Sequence, residues 1–293
     1  MLDVPARRHI QSIVVSRGGD ILLERYFRDR RPTDLSNLHS VTKSFLATLA
    51  GIAIGDGSLR LETRLGDVLD VEDERKRHIA VEHLLTMTSG LDPEGPHDID
   101  EIADRGDSWV DGPLAAPLLA DPGTAFAYNN GAAHVLGVVV ARATGTPLAR
   151  FAEKRLFRPL GIDEFRWPTD PERNPIGWGH LELRPRELLR LGELYLAAGR
   201  PLLPEGFAEA ATTAHHTGGP PENVPYGYLW WITEDCGYRS FFAGGYGGQY
   251  LTVIPELELL VVTTGDVDVF IETSRNLRRL VSEAVIPALL TSS

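Results

Sequence analysis

The chain has 293 residues, 43% hydrophobic and 24% charged, which is ordinary for a globular protein of one large domain or two interleaved lobes. Its net charge of −12 comes without a run of basic residues that could track a groove, which argues against a nucleic acid or an anionic membrane as partner. Cys236 is the only cysteine, so an intrachain disulfide is excluded. Because the first residues lack a signal-peptide pattern, we expect a cytoplasmic protein, of an oligomeric state that the sequence leaves open.

The first part of the chain predicts a β-hairpin followed by a helix. Residues 10–27 (IQSIVVSRGGDILLERYF) hold two β-rich runs around Gly18 and Gly19, which accept positive φ. Residues 40–57 (SVTKSFLATLAGIAIGDG) have apolar residues at helical spacing and end in glycines that mark a helix stop. Ser40 is therefore predicted to lie near the N-terminus of this helix.

The middle of the chain predicts several helices broken by Pro and Gly, and the last part predicts strands again. The helical pieces are residues 81–90, 130–145, 147–161 and 185–200. The acidic segment 96–107 (PHDIDEIADRGD) predicts a solvated loop. The strand-like runs are residues 227–234, 238–245, 248–255 and 257–266, with a turn at Pro255-Glu256, and residues 268–290 predict a final helix.

This order predicts one sheet built from both ends of the chain, with a helical insertion between them. We expect an α/β lobe over residues 1–63 and 213–293, and a helical lobe over residues 64–212. The fold class is therefore α/β (α+β), with an antiparallel sheet flanked by helices.

Ser40 and Lys43 form an S-x-x-K pattern at the start of the first predicted helix. Three residues apart on a helix, their side chains share one face, and the positive end of the helix dipole favours an alkoxide on Ser40. Only three of the 29 basic residues are lysines, and a lysine can lose its proton where an arginine cannot. A buried Lys43 could therefore accept the serine proton. The alternative is a serine cap beside a solvated lysine.

Two further segments carry groups that suit acyl transfer. Tyr128 and Asn130 form Y-x-N before a predicted helix, where a phenol could relay a proton and an amide could hold the lysine; a capped helix with a core tyrosine is the alternative. Four glycines around Tyr246 let a backbone with N–H donors approach closely, or simply form a turn. The motifs of an α/β-hydrolase elbow, a metal site or a nucleotide site are missing, so we expect no metal and no cofactor.

Together these segments resemble the serine β-lactamase-like superfamily, and the resemblance covers nearly the whole chain. The superfamily includes class C β-lactamases, D-Ala-D-Ala carboxypeptidases, carboxylesterases of the β-lactamase fold and 6-aminohexanoate-oligomer hydrolases. Its first motif matches residues 40–43 and its second matches residues 128–130. The resemblance implies the fold of these proteins, an antiparallel sheet flanked by helices with an inserted helical lobe.

The resemblance also implies roles for the residues. Ser40 attacks an ester or amide carbonyl and forms an acyl-enzyme, and Lys43 is the general base. Tyr128 relays the proton to the leaving group, while Asn130 positions the lysine and the acyl side chain. The backbone N–H groups of Ser40 and Tyr246 form the oxyanion hole.

The third motif departs from the superfamily pattern. That pattern has Lys or His, a small residue and Gly on the strand that faces the nucleophile. The matching residues here are Ala243, Gly244 and Gly245, which offer the substrate no cation. Residues 216–218 read HTG, but they precede YGYLWW in a Pro/Gly-rich segment, and we interpret them as a coincidence in a loop.

The sequence therefore predicts a serine hydrolase that cleaves an ester or amide bond of a small molecule. A carboxylesterase-like activity is expected, because Ala243 cannot attract the carboxylate that β-lactams and D-Ala peptides carry near the scissile bond. One alternative is a β-lactamase or a D-amino-acid peptidase or amidase of the same fold. The other is a binding or scaffold protein that keeps the fold with a dead site.

Overall fold

The computed structural model describes residues 8–268 and 277–291, and its strands are numbered in chain order. They are β1 (Ile10–Arg17), β2 (Asp20–Tyr26), β3 (Ser36–Asn37), β4 (Glu182–Leu183), β5 (His216–Gly219), β6 (Val224–Tyr226), β7 (Trp231–Asp235), β8 (Tyr238–Gly245), β9 (Gln249–Ile254) and β10 (Leu259–Gly265). Eight of them form one sheet in the order β2-β1-β10-β9-β8-β7-β6-β5, and β3 pairs with β4 apart from it. Neighbouring strands are antiparallel throughout the large sheet.

The helices flank this sheet, and all but the last of them lie between β2 and β5 in the chain. They are α1 (Thr42–Gly55), α2 (Leu65–Val68), α3 (Glu74–Arg77), α4 (Val81–Leu85), α5 (Ile99–Arg105), α6 (Asp111–Ala115), α7 (Asn130–Thr144), α8 (Leu148–Ala152), α9 (Leu188–Leu196), α10 (Phe207–Ala211) and α11 (Ile286–Thr291). The predicted fold class is confirmed. The division into lobes of residues 1–63 with 213–293, and 64–212, stays a prediction.

Several predicted elements are confirmed in place. β1 and β2 form the N-terminal hairpin, and Gly18 and Gly19 take φ of 58° and 89° in its turn. β8 covers the predicted strand 238–245, and β9 pairs with β10 across a 3-10 turn at Pro255–Leu257. These predictions were based on β-rich runs of residues bounded by turn residues.

Two predictions of local structure away from the glycine-rich motifs were wrong. The acidic segment predicted as a loop contains α5, which Asp98 caps by accepting a hydrogen bond from the Asp100 N–H. Ile99 and Ile102 lie on one face of α5 and are buried, so two apolar residues at helical spacing outweigh the charges around them. The strand predicted to begin at residue 227 begins only at Trp231, after a positive φ at Leu229.

The predicted C-terminal helix lies partly outside the described residues, since 269–276 are not among them. Its later part is helical, with a π-helical turn at Val281–Val285 that continues into α11.

Helix α1 is held rigidly inside the protein. Its residues 42–53 are buried on all faces, as expected for a helix that is apolar or small all round. Ser44 Oγ donates 2.7 Å to the carbonyl of Leu229, and Thr48 Oγ1 lies 3.1 Å from the Tyr195 hydroxyl, which belongs to α9. Gly51 leaves room for the ring of Phe207, to which a Cβ would come within 2.5 Å. The first turn of α1 is therefore fixed in position.

Within the described ranges, no single helix is long and apolar enough to cross a membrane. One bent pair, Asn130–Thr144 with Leu148–Phe157, reaches the length and composition jointly, at a 72° bend. Its apolar side chains lie in the core, as in the interior helices of globular proteins.

Candidate active site

Ser40 lies in a 3-10 turn, His39–Val41, that runs directly into α1. The Lys43 Nζ donates a hydrogen bond of 2.9 Å to Ser40 Oγ and another of 2.7 Å to the carbonyl oxygen of Trp178. The structure thus brings together the two side chains that the S-x-x-K spacing places on one face.

The environment of Lys43 favours its neutral form. Its side chain is 1% exposed, and burial lowers the pKa of Lys43 well below its ordinary value of 10.5, because desolvation disfavours the ammonium. The carboxylate of Asp100 acts in the opposite direction without restoring the pKa. Lys43 can therefore accept a proton at a pH where a solvated lysine is fully protonated.

A buried histidine and a carboxylate hold the segment that carries Trp178. His134 Nδ1 accepts the Gly177 N–H at 3.2 Å, so Nε2 bears the proton and donates to Asp170 Oδ2 at 3.0 Å. Burial would raise the pKa of Asp170, but hydrogen bonds from His134 and Asn174 outweigh it and lower the pKa. The pair fixes the carbonyl that receives the second hydrogen bond of the lysine.

Tyr128 completes the contacts around the serine. Tyr128 lines one cavity together with Ser40, and its ring centroid lies 4.8 Å from Lys43 Nζ. The ring stacks on Trp231 at 5.7 Å between centroids. Burial raises the pKa of Tyr128, the interaction with the Ser40 side chain opposes this, and the Glu222 carboxylate raises it further. The phenol is therefore protonated and can donate to a leaving group.

Asn130 is the first residue of α7, and its neighbour Asn129 is the cap that accepts the Ala132 N–H at 2.8 Å. The amide oxygen Oδ1 of Asn130 is buried without a hydrogen-bond partner among the described residues. The implied hold on Lys43 is not formed, because the two hydrogen bonds of the lysine go to Ser40 and to a main-chain carbonyl. Asn130 lines a cavity beside Ser40.

The glycine-rich end of β8 lies against the 3-10 turn that carries Ser40. A Cβ at Gly245 would come within 2.4 Å of the Leu38 carbonyl oxygen and 3.2 Å of the Ser40 nitrogen, so only glycine fits there. Tyr246 follows and is 43% exposed, beside Ser40. Ala243 is 1% exposed and therefore offers a substrate no surface.

The HTG residues lie on a strand, which corrects their assignment to a loop. They belong to β5, at the edge of the sheet, three strands away from β8. His216 stacks on Phe126 at 5.8 Å between centroids. Residues 216–218 are not among the residues that line the cavities at Ser40, so this motif is not part of the candidate site.

Two cavities flank Ser40. The larger has a volume of about 450 Å³ and is lined by His39, Ser40, Asp100, Asn130, Trp178, Gly179, His180 and Tyr246. The smaller has a volume of about 140 Å³ and is lined by Ser40, Tyr128, Pro221, Glu222, Trp231, Gly244, Gly245, Tyr246 and Tyr250. These described linings include no arginine and no lysine. Their two histidines, His39 and His180, both have a pKa lowered by burial, so neither readily becomes the cation that is missing at Ala243.

The sequence did not point to the charged residues of these cavities. Asp100 enters through α5, whose apolar pair and Asx cap were visible signals for a helix. Burial and the neighbouring His180 and Lys43 lower the pKa of His39 to about 4. Glu222 comes from a turn whose sequence contains no catalytic pattern.

Across residues 8–268 and 277–291, no three His, Cys, Asp or Glu side chains are grouped to hold a metal ion.

An antiparallel sheet flanked by helices, with a serine and a buried lysine at the start of the first helix, is the arrangement of the serine β-lactamase-like proteins. The family model described as Beta-lactamase matches residues 6–284. The chain therefore belongs to the Beta-lactamase family.

The proteins that this chain resembles include penicillin-binding proteins and an esterase. Penicillin-binding protein 4 of Amycolatopsis lactamdurans is 27% identical over 264 residues, which cover 74% of this chain and 68% of that protein. Esterase EstB of Burkholderia gladioli is 32% identical over 187 residues, covering 55% of this chain and about half (47%) of the esterase. A penicillin-binding protein from Bacillus halodurans has the same fold, with a TM-score of 0.78 and 19% identity over 94% of this chain and 96% of that one. The family and these relatives support a serine hydrolase in general terms.

Proposed function

We propose that this chain is a serine hydrolase of carboxylesterase type, with Ser40 as the nucleophile and small esters as substrates. The observation that carries the proposal is the 2.9 Å hydrogen bond between Ser40 Oγ and the Nζ of a lysine that is 1% exposed. A nucleophile with an adjacent base of lowered pKa is the requirement for covalent acyl transfer. The relationship to esterase EstB adds support.

In the proposed reaction, Ser40 Oγ attacks the ester carbonyl carbon as its proton passes to neutral Lys43. The carbonyl electron pair moves onto oxygen, which accepts hydrogen bonds from the N–H groups of Ser40 and Tyr246. The C–O bond to the alcohol then breaks, and Tyr128 donates its proton to the departing oxygen while taking one from the lysine. Water then attacks the acyl carbonyl carbon and gives a proton to Lys43. The bond between the acyl carbon and Ser40 Oγ breaks, Lys43 returns its proton to Ser40 Oγ, and the acid leaves.

The choice of an ester over a β-lactam rests on the charges of the site. Ala243 is buried and the described cavity linings hold no lysine or arginine, so a carboxylate near the scissile bond has no charged partner. A charge-assisted hydrogen bond is about twice as strong as a neutral one, and its loss weakens carboxylate-bearing substrates selectively. Amide or β-lactam hydrolysis is the second candidate, because the base and the phenol would serve it equally.

Covalent labelling and turnover test the nucleophile. Ser40→Ala should lose nearly all hydrolysis of p-nitrophenyl butyrate and all labelling by a fluorophosphonate, with an unchanged circular dichroism spectrum. Ser58→Ala, at an exposed serine beyond the far end of α1, should keep both. Turnover or labelling by folded Ser40→Ala would refute the assignment, and an unlabelled wild-type protein would favour the dead scaffold.

A comparison of substrates on one preparation tests the class. We expect a clearly higher kcat/KM for short-chain p-nitrophenyl esters than for a chromogenic cephalosporin. A preference for the cephalosporin would make this protein a β-lactamase despite Ala243.

A further inference from the structure

We propose that the smaller cavity binds a cationic headgroup, so that esters of ammonium-bearing alcohols are preferred over neutral esters. The inference deepens the proposed function and rests on it for the position of the scissile bond. The occupant is a small ammonium group, primary or quaternary, carried two or three bonds beyond the ester oxygen.

The smaller cavity lies on the side of the leaving group. Tyr128 is the proton donor for the departing alcohol in the proposed reaction, and it lines this cavity together with Ser40. Asn130, to which the family resemblance assigns the acyl part, lines the larger cavity. A substrate across Ser40 therefore directs its alcohol portion towards Tyr128 and the smaller cavity.

The walls of the smaller cavity have the composition of a cation site. Four aromatic rings line it, those of Tyr128, Trp231, Tyr246 and Tyr250. Aromatic rings attract ammonium groups. Tyr128 and Trp231 stack on each other, and Tyr246 is the most exposed of the four side chains, at 43%. Neutral aromatic walls alone would serve an apolar group equally well, so the charged residue decides between these occupants.

Glu222 supplies that charge. Its Oε1 accepts a hydrogen bond of 3.2 Å from the Tyr250 hydroxyl, which holds the carboxylate at the cavity wall. A Cβ at Gly244 would lie 3.5 Å from the same oxygen, so the carboxylate sits over the end of β8 beside the nucleophile. Its negative charge also reaches Tyr128, whose pKa it raises. A carboxylate in this position attracts a cation and repels a substrate carboxylate.

The size of the cavity limits the occupant. At about 140 Å³ it is well below the 300 Å³ or more of a typical small-molecule pocket, whereas the larger cavity at about 450 Å³ falls inside that range. A compact headgroup fits the smaller space and a long chain does not. Choline-type and amino-alcohol esters place such a headgroup close to the ester oxygen.

The test compares acetylcholine with its neutral isostere, 3,3-dimethylbutyl acetate, by pH-stat titration of the acetic acid released. We expect a kcat/KM ratio of about tenfold or more in favour of acetylcholine, from cation–π and charge attraction. Glu222→Gln should bring this ratio to within about threefold of unity. Glu205→Gln makes the same change in net charge at an exposed site near the far end of α1 and should keep the wild-type ratio. A wild-type ratio near unity, or a ratio that Glu222→Gln leaves unchanged, would overturn the proposal.

Binding to the Ser40→Ala variant separates this site from the reaction. Choline should bind at least about tenfold more tightly than 3,3-dimethylbutan-1-ol in calorimetry, and Glu222→Gln in the same background should abolish the difference. If the wild-type protein cleaves no ester and the Ser40→Ala variant still prefers choline, the cation site is upheld and the proposed reaction is refuted. Ester hydrolysis without any choline preference would refute the cation site alone.

Discussion

Replacing Gly245 by alanine should remove most of the hydrolytic activity while leaving the fold in place. The added Cβ would lie 2.4 Å from the Leu38 carbonyl oxygen, and ordinary contact begins at 3.4 Å, so the two backbones must separate by about 1 Å. These backbones carry the N–H groups of Ser40 and Tyr246 that would bind the oxyanion. A misplacement of about 1 Å costs about 10²-fold, and loss of one oxyanion donor about 10²- to 10³-fold. We therefore expect kcat to fall by about 10²-fold.

Steady-state kinetics with p-nitrophenyl butyrate, together with thermal unfolding, check this expectation. Gly55→Ala is the matched control, because its Cβ would meet Pro204 at 3.2 Å, at the far end of α1, and its kcat should stay near the wild-type value. If Gly245→Ala keeps kcat within about threefold of wild type, this strand end does not bind the oxyanion.

Lys43→Arg keeps a hydrogen-bond donor at this position but has no accessible neutral form, so kcat/KM for an ester should fall at least about 10²-fold. Near-normal rates would mean that a neutral base at this position is not needed. Lys43 must be neutral to accept the Ser40 proton, so wild-type kcat/KM should be lost as the pH falls through the lowered pKa of Lys43. A midpoint of this pH profile at the ordinary value of 10.5 would contradict the lowering of the pKa by burial. His134→Ala removes one hydrogen bond from the buried Asp170 carboxylate and should lower the free energy of unfolding in urea by about 1–3 kcal/mol. His78→Ala, at the surface, should change the free energy of unfolding by less than about 0.5 kcal/mol. Equal losses in the two variants would show that the contact between His134 and Asp170 does not stabilise the fold more than a surface histidine does.

The sequence predicted those parts of the fold that local patterns specify. The hairpin around Gly18 and Gly19, the helix after Ser40 and the strands β8 to β10 all follow from periodicity and turn residues. The acidic segment around Asp100 was misjudged because its charges outnumber its apolar residues. Two isoleucines that reach the core were enough to make it a helix.

The candidate site was predictable only where a motif places side chains at fixed spacing. Ser40 and Lys43 are neighbours on one helix, and their contact follows from the helical repeat. The second acceptor for the lysine is the main-chain carbonyl of Trp178, which no side-chain pattern marks, and its position depends on a distant His134 contact. Glu222 reaches the site only through the fold of the turn between β5 and β6, at one edge of the sheet.

Burial alone does not distinguish the lysine of the site from the other buried lysine. Lys76 is 7% exposed, and its Nζ donates 2.7 Å to the carbonyl of Leu114 and lies 3.8 Å from a carboxylate oxygen of Asp73. Lys76 is therefore held by a main-chain carbonyl and an ion pair, a structural arrangement that arginine could share. Lys43 has a hydroxyl in place of the carboxylate, so desolvation acts on it without a counter-charge in contact. Of the two, only Lys43 combines a reason to lose its proton with a serine from which to take one.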